Sequence, residues 1–305
     1  MYRIGETRFD LVRCRPCGLV YVNPRPDAAT LDALYSDPQY YTFGYNLGVE
    51  TDNYFERKDE LIAQYDATIA EYEREIGRGR GGADANKTAG ELFELGSAGG
   101  FFLEAGRRRG WRVRGVELSR PAAEYSVREF GLDVFRGLLE DAPIPDASID
   151  LALADNVLEH TLRPLDVLRR LERLLKPGGH LIVIVPAYVN SPWFRVLARV
   201  RSWLPRRFLG PHLLSLLKFE GQDAGAPYHI LEFDRATLER LFADAGLEIV
   251  RVEASVPLPA EVFKAPRPTW RTRLLRFAFR AVDRGMRMGW LPGARLRFVG
   301  RRLPR

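Results

Sequence analysis

Cysteine is almost absent from this sequence: Cys14 and Cys17, spaced Cys-Arg-Pro-Cys, are the two found in 305 residues. Two thiols exclude a disulfide framework and fit a reducing compartment. Long apolar runs are lacking as well. No stretch approaches the roughly 18 apolar residues that a membrane span needs. Met1-Tyr2-Arg3-Ile4-Gly5-Glu6 also lacks the apolar run of a secretory signal, so cytoplasmic residence is expected. Acidic residues run out toward one end. From Lys264 to Arg305 a single acid, Asp283, stands among many arginines, although the whole chain carries a formal charge of only +6. The remainder is therefore net acidic, and the asymmetry suggests an anionic surface as partner, either membrane or nucleic acid.

The cysteine pair admits three readings. A zinc site wants four N or S ligands, and no second Cys pair completes one, so Cys14 and Cys17 would be a zinc remnant. A redox pair should cap a helix after a strand, whereas Gly18-Leu19-Val20-Tyr21-Val22 runs on as a strand. A leftover knuckle in a β-turn is the preferred reading.

Three zones follow along the chain. Residues 1–50 hold the Cys knuckle, a short helix near 28–35 and an aromatic patch at 40–45. Residues 51–86 hold a helix over 52–76, with Leu61, Tyr65, Ile69, Tyr72 and Ile76 at three- and four-residue steps, and a Gly- and Arg-rich joint at 77–82. From 87 onward strands at 91–95, 112–117, 132–135, 149–154 and 180–185 alternate with helices near 99–109, 121–130 and 164–175. That alternation predicts an α/β fold with a parallel sheet covered by helices on both faces. A helix at 234–245, a strand at 247–254, a helix at 269–290 and a returning strand at 294–300 complete the zone, with insertions at 187–228 and 256–292.

The strongest local signal is Glu91-Leu92-Phe93-Glu94-Leu95-Gly96-Ser97-Ala98-Gly99-Gly100-Phe101. A strand ends in an acid, a glycine-rich turn follows, and a helix opens with unpaired N–H groups available to a ligand. A dinucleotide fingerprint would need glycines at 96, 98 and 101, and two of the three fail at Ala98 and Phe101. The pattern acid-x-Gly-x-Gly-x-Gly fits at Glu94, Gly96 and Gly100, with Ala98 the smallest departure. An acid there repels a pyrophosphate but suits a cationic amino group, such as that of S-adenosylmethionine. Glu117 ends the next strand beside that loop, placed to accept bonds from ribose hydroxyls, a feature dehydrogenases share. Leu118 adjoins it, and Leu139 in the loop after the third strand could wall an adenine.

Two later motifs complete a set: Asp155-Asn156-Val157-Leu158-Glu159-His160 after the fourth strand, and Lys176-Pro177-Gly178-Gly179 before the fifth. With these, the sequence resembles the class I S-adenosylmethionine-dependent methyltransferases over roughly 88–255, extending to the strand at 294–300. The resemblance implies a Rossmann-like, mostly parallel seven-stranded methyltransferase sheet, preceded here by an N-terminal extension. It implies S-adenosyl-L-methionine as cofactor, held by Glu94, Gly96, Ser97, Ala98, Gly100, Glu117, Leu118, Leu139, Asp155 and Asn156. Residues 13–26 are also similar to the second half of a Cys-rich knuckle that precedes many such enzymes, with the first Cys pair missing.

Methyl transfer to oxygen benefits from a base, and His160 is the first candidate, with Glu159 sharing contact with substrate or a divalent cation. Alternatively, both only cap and orient the following loop. His229 is the second candidate, or else a cap for the helix at Asp234; His180 and His212 lack such context. The expected activity is methylation of a small-molecule acceptor, oxygen favoured. The alternatives are C-methylation of a nucleotide-linked sugar, and a non-catalytic cofactor-binding or membrane-surface protein. Residues 266–292 could lie on an anionic bilayer, with Trp193, Phe194, Trp203 and Phe208 enlarging the surface; packing of the helix's apolar face on the protein is preferred. Nucleic acid is disfavoured, since no recognition module accompanies the charge.

Overall fold

The computed structural model describes residues 2–4, 6–27, 29–31, 33, 54–76, 89–187, 229–255, 270–288, 293 and 295–304. The expectations for the aromatic patch at 40–45, the joint at 77–82 and the insertion at 188–228 with its Trp193, Phe194, Trp203, Phe208 and His212 fall outside these residues. So does the stretch 256–269. The strands are β1 (Tyr2–Ile4), β2 (Thr7–Arg13), β3 (Val20–Asn23), β4 (Glu91–Leu95), β5 (Arg112–Glu117) and β6 (Val134–Arg136). Then come β7 (Ile149–Asp155), β8 (Leu175–Pro186), β9 (Leu231–Glu232), β10 (Leu247–Ser255) and β11 (Arg295–Arg302). The helices are α1 (Lys58–Glu75), α2 (Phe101–Arg108), α3 (Arg120–Phe130), α4 (Pro164–Leu174), α5 (Arg235–Asp244) and α6 (Trp270–Arg287).

Two compact units are distinguished. The first comprises Pro26–Val183, Leu241–Val250 and Val299–Arg305. Seven strands hydrogen-bond in the order β10-β11-β8-β7-β4-β5-β6. β4 runs parallel to both β5 and β7, pairing Leu92 with Val113 and Leu151, and β6 extends the parallel set from β5. β4 and β7 are buried along almost their whole length, as strands covered on both faces require. Because β5 and β6 lie to one side of β4, and β7 and β8 to the other, the strand order reverses beside β4. In open α/β sheets the carboxyl ends of the strands at that reversal form the ligand crevice.

α1 packs on α2, the helix that follows the glycine loop. Tyr65 meets Phe102 edge-on, with ring centroids 5.6 Å apart. Glu73, 2% exposed, accepts hydrogen bonds from Arg109 Nε (3.0 Å) and Trp111 Nε1 (2.9 Å), and Asp66 takes another Arg109 nitrogen at 3.0 Å. At the opposite end of the sheet, Lys176 Nζ donates to Asp150 Oδ2 (2.6 Å), which also accepts the Glu91 N–H (2.8 Å). A Cβ on Gly179 would lie 2.9 Å from the Lys176 carbonyl oxygen. The Lys-Pro-Gly-Gly motif thus fastens the amino ends of β4, β7 and β8.

The second unit comprises Met1–Arg25, Ile184–Arg240 and Arg251–Phe298. It contains the sheet β1-β2-β3-β9, antiparallel throughout, with Phe9, Val20 and Val22 buried. Cys-Arg-Pro-Cys forms the turn from β2 to β3, closed by Cys14 N–H to Leu19 O (2.8 Å) and Gly18 N–H to Cys14 O (2.9 Å). Both thiols are free and half-buried, and hydrogen bonding from the Cys17 backbone holds the Cys14 thiol below its ordinary pKa.

α6 overturns one expectation. Its apolar stripe is largely exposed rather than packed away: Trp270, Leu274 and Phe277 are 71%, 59% and 72% exposed, while Met286 is buried. At 100° per residue, Trp270, Leu274, Phe277, Ala281 and Met288 share an arc of about 60° opposite Met286. Periodicity reveals such a stripe but not which side of the helix meets the rest of the chain.

Candidate cofactor-binding and catalytic site

The site grows from the carboxyl ends of β4, β5 and β7. Leaving β4, Gly96 takes φ +72°, Ala98 +45° and Gly100 +77°, three left-handed residues in five. The bend is fixed by Gly96 N–H and Ser97 N–H, which both donate to Val116 O (2.8 and 3.2 Å), and by Gly100 N–H to Ser97 O (2.8 Å). The two glycines answer to the protein's own packing as much as to a ligand. A Cβ at 96 would lie 2.5 Å from Val157 Cγ2, and one at 100 would lie 2.5 Å from Leu132 Cδ1. Ala98 holds its strained conformation while its N–H donates to Glu117 Oε2 at 2.7 Å.

Glu117 is buried, and its other oxygen accepts the Ser119 N–H at 2.7 Å. Two backbone donors therefore aim this carboxylate, whose two oxygens offer about four acceptor positions in all. Glu94 differs. It is 4% exposed, and its Oε2 has no hydrogen-bond partner among the described residues. Burial pushes its carboxyl well above the usual carboxylate range, and the neighbouring charges of Asp155 and Glu117 push it the same way. Asp155 ends β7 and accepts Asn156 Nδ2 at 3.0 Å, with Asn156 itself left-handed at φ +53°. The Ser97 and Ser119 hydroxyls are also buried without a hydrogen-bond partner among the described residues.

The structure therefore brings together Glu94, Gly96, Ser97, Ala98, Gly100, Glu117, Asp155 and Asn156. Leu118, half-buried, adjoins Glu117; Leu139 is buried, and the exposed member of its turn is Leu138. Sequence reasoning missed Ser119. It occupies the N-cap of α3, where a serine is ordinarily read as a cap, yet its hydroxyl makes no capping bond. His160 closes a 3-10 turn, Leu158–His160, directly after β7; its Nε2 lies 3.9 Å from Oε1 of the fully buried Glu159. His229, in the second unit, places Nδ1 3.9 Å from Glu232 Oε1. It does not cap α5: Asp234 Oδ1 accepts the Thr237 N–H (2.9 Å) and Thr237 Oγ1 accepts the Asp234 N–H (3.0 Å), a reciprocal cap. His180 lies half-buried in β8. Cys14 and Cys17 join no group of three or more metal-ligating side chains among the described residues.

Chemically, the site is a cluster of three acids at the sheet's switch point, among which Glu94 Oε2 is buried with no hydrogen-bond partner among the described residues. A buried carboxyl destabilised by two neighbouring carboxylates favours a cation and disfavours a phosphate. S-adenosylmethionine, with its ammonium and sulfonium, fits that donor set; a dinucleotide does not.

Known proteins resemble this chain in sequence and fold. The Methyltransferase domain family model matches residues 68–252. A probable S-adenosylmethionine-dependent methyltransferase of Mycolicibacterium smegmatis is 24% identical over 206 residues, covering 66% of this chain and 62% of that protein. A ubiquinone biosynthesis O-methyltransferase of Ruegeria pomeroyi is 30% identical over 171 residues, 50% of this chain and 66% of that protein. Across three of the curated relatives the match spans 23%, 27% and 62% of their length. Among solved structures, a chain of the Haloferax volcanii complex that contains the Trm112 methyltransferase activator aligns with TM-score 0.51 at 18% identity, over 92% of this chain and all of that one, a likeness of fold. With a family model matched over more than half its length and a seven-stranded sheet that carries the acid-led glycine loop at its switch point, this chain belongs to the methyltransferase-domain family.

Proposed function

We propose that this protein transfers a methyl group from S-adenosylmethionine to a small-molecule acceptor, with an oxygen atom as the favoured acceptor. One observation carries the cofactor: the buried Glu94, repelled by the half-buried Asp155 and the buried Glu117, keeps an oxygen with no hydrogen-bond partner among the described residues. In this reading Glu94 takes the cofactor's amino group, and Glu117, pre-aimed by two backbone N–H groups, takes the ribose hydroxyls. Ser97 and Ser119 offer further hydroxyls. When bound, the cofactor supplies an electrophilic methyl carbon on a positively charged sulfur.

The acceptor side rests on His160. It stands on the turn directly after β7, with Glu159 buried behind it, and relatives of this chain include proteins named as O-methyltransferases. His160 would receive the acceptor's hydroxyl proton as its oxygen bonds to the methyl carbon and the sulfur–carbon bond breaks. Orientation and exclusion of water supply the rest of the rate. The test combines calorimetry with S-adenosylmethionine and a panel of hydroxyl-, amine- and carbon-acid acceptors, read as S-adenosylhomocysteine formed. His160→Gln is expected to lower kcat by roughly 10²–10⁴-fold with cofactor affinity unchanged, and His229→Ala is assayed in parallel. Binding of NAD in preference to S-adenosylmethionine would overturn the cofactor assignment; an unchanged rate in His160→Gln would remove the base.

A further inference from the structure

The basic run at the C-terminal end is not one feature but two. On β11, Arg297 pairs with Glu253 (3.1 Å), Arg301 with Glu248 (2.6 Å) and Arg302 with Glu172 (3.1 Å). Those arginines hold the sheet. On α6 and the residue after it, residues 270–288 carry six arginines (271, 273, 276, 280, 284 and 287) and a single acid, Asp283, which pairs with Arg287 at 2.7 Å. That acid lies four residues from its arginine and does not reach the basic side chains along the whole of α6. Arg273 and Arg284 are exposed and have no ion-pair partner among the described residues.

This charge flanks, on one side, an apolar stripe that faces water. Trp270, Leu274, Phe277 and Met288 are all exposed on one arc, and at 100° per residue Arg273, Arg280 and Arg284 border it. An exposed row of large apolar side chains needs a covering, since single exposed residues are ordinary but contiguous ones are not. Nucleic acid would use the arginines and leave the tryptophan, leucine and phenylalanine unserved. A protein partner would have to supply both a greasy groove and an acidic rim. An anionic bilayer supplies both at once, its acyl boundary for the stripe and its head groups for the flanking guanidiniums. No helix among the described residues is long and apolar enough to cross a membrane, so α6 would lie in the interface plane.

We propose that α6 docks this protein on an anionic lipid surface, with Trp270, Leu274 and Phe277 entering the acyl boundary and Arg273 and Arg284 meeting lipid head groups. The inference stands apart from the methyl-transfer reading, because it uses no residue of the cofactor site.

The full chain is sedimented with vesicles of phosphatidylcholine alone and of phosphatidylcholine with phosphatidylglycerol. Binding is expected to be at least about tenfold stronger to the anionic vesicles and to weaken with salt. Leu274→Ser with Phe277→Ser, and separately Arg273→Gln with Arg284→Gln, are each expected to lower it by about tenfold or more, with circular dichroism unchanged because all four side chains face solvent. Tryptophan emission is expected to shift to the blue on adding anionic vesicles, and Trp270→Phe to remove that shift. Equal sedimentation of wild type and both double variants would overturn the proposal. So would a dimer in solution that Leu274→Ser with Phe277→Ser dissolves, or duplex DNA binding that depends on the arginines and not on the stripe.

Discussion

Glu73 and Glu94 are both taken out of water within the same compact unit, at 2% and 4% exposure, yet their surroundings are opposite. Glu73 accepts from Arg109 and Trp111, with Asp66 sharing the guanidinium, so its charge is matched where it stands. Glu94 faces Asp155 and Glu117 and keeps one oxygen unsatisfied. Burying a charge beside its complement fastens two helices. Burying one beside its like stores a cost that only an added cation removes. The first arrangement serves the fold and the second serves a ligand.

The contrast breaks most visibly at Glu73. Glu73→Ala is expected to lower unfolding free energy by about 3–5 kcal/mol, because it removes the buried partner of the half-buried Arg109, leaving it Asp66 alone, and strips Trp111 Nε1 of its acceptor. The denaturant midpoint reads this, and Glu73→Leu combined with Arg109→Met is expected to recover much of the loss. A drop under about 1 kcal/mol would mean the network is no stronger than a surface pair.

Glu94 is expected to behave the other way. Glu94→Gln should weaken S-adenosylmethionine binding by about 10–100-fold, the loss of one charge-assisted hydrogen bond. It should also raise the melting temperature at neutral pH. The sign follows from linkage. Between the unfolded carboxyl pKa near about 4.3 and the raised folded value, the native state holds the extra proton, so stability falls as pH rises through that window. Removing the carboxyl removes that slope. For the same reason, cofactor affinity in the wild type is expected to rise with pH, as proton and cation compete for one oxygen. Titrations at several pH values read it, and a flat profile would sink the acid cluster as the recognition element.

The smallest effect sharpens the comparison at the loop itself. Ala98 sits at φ +45°, where an L side chain costs about 1–2 kcal/mol. Ala98→Gly relieves that cost but adds about 0.4–1 kcal/mol of unfolded-chain entropy. A net gain of up to about 1 kcal/mol is expected, with cofactor affinity retained. A clear loss of stability would show that the Ala98 methyl packs usefully.

Much of the fold was legible because its signals are local. β4 and β5 fall on the expected 91–95 and 112–117, and α4 ends at Leu174 against an expected 175. Apolar runs, helical periodicity and the glycines that stop them are properties of neighbouring residues. The acid-led loop was legible for the same reason, since Glu94, Gly96 and Gly100 lie within seven residues. Ser119 was hidden because its identity fits a cap. The partnership of Glu73 with Arg109 and Trp111 was hidden because nothing in a sequence pairs residues 36 and 38 positions apart.

By itself, then, the sequence determined the order of strands and helices, the bend after β4 and the presence of acids at the ends of three strands, all consequences of near-neighbour sterics and hydrophobic period. Tertiary structure alone decided which buried acids would be neutralised and which left to repel one another, why Gly96 and Gly100 admit no Cβ, and which side of α6 meets water. Those outcomes depend on distances between groups far apart along the chain, and electrostatic and packing energies follow distance in space.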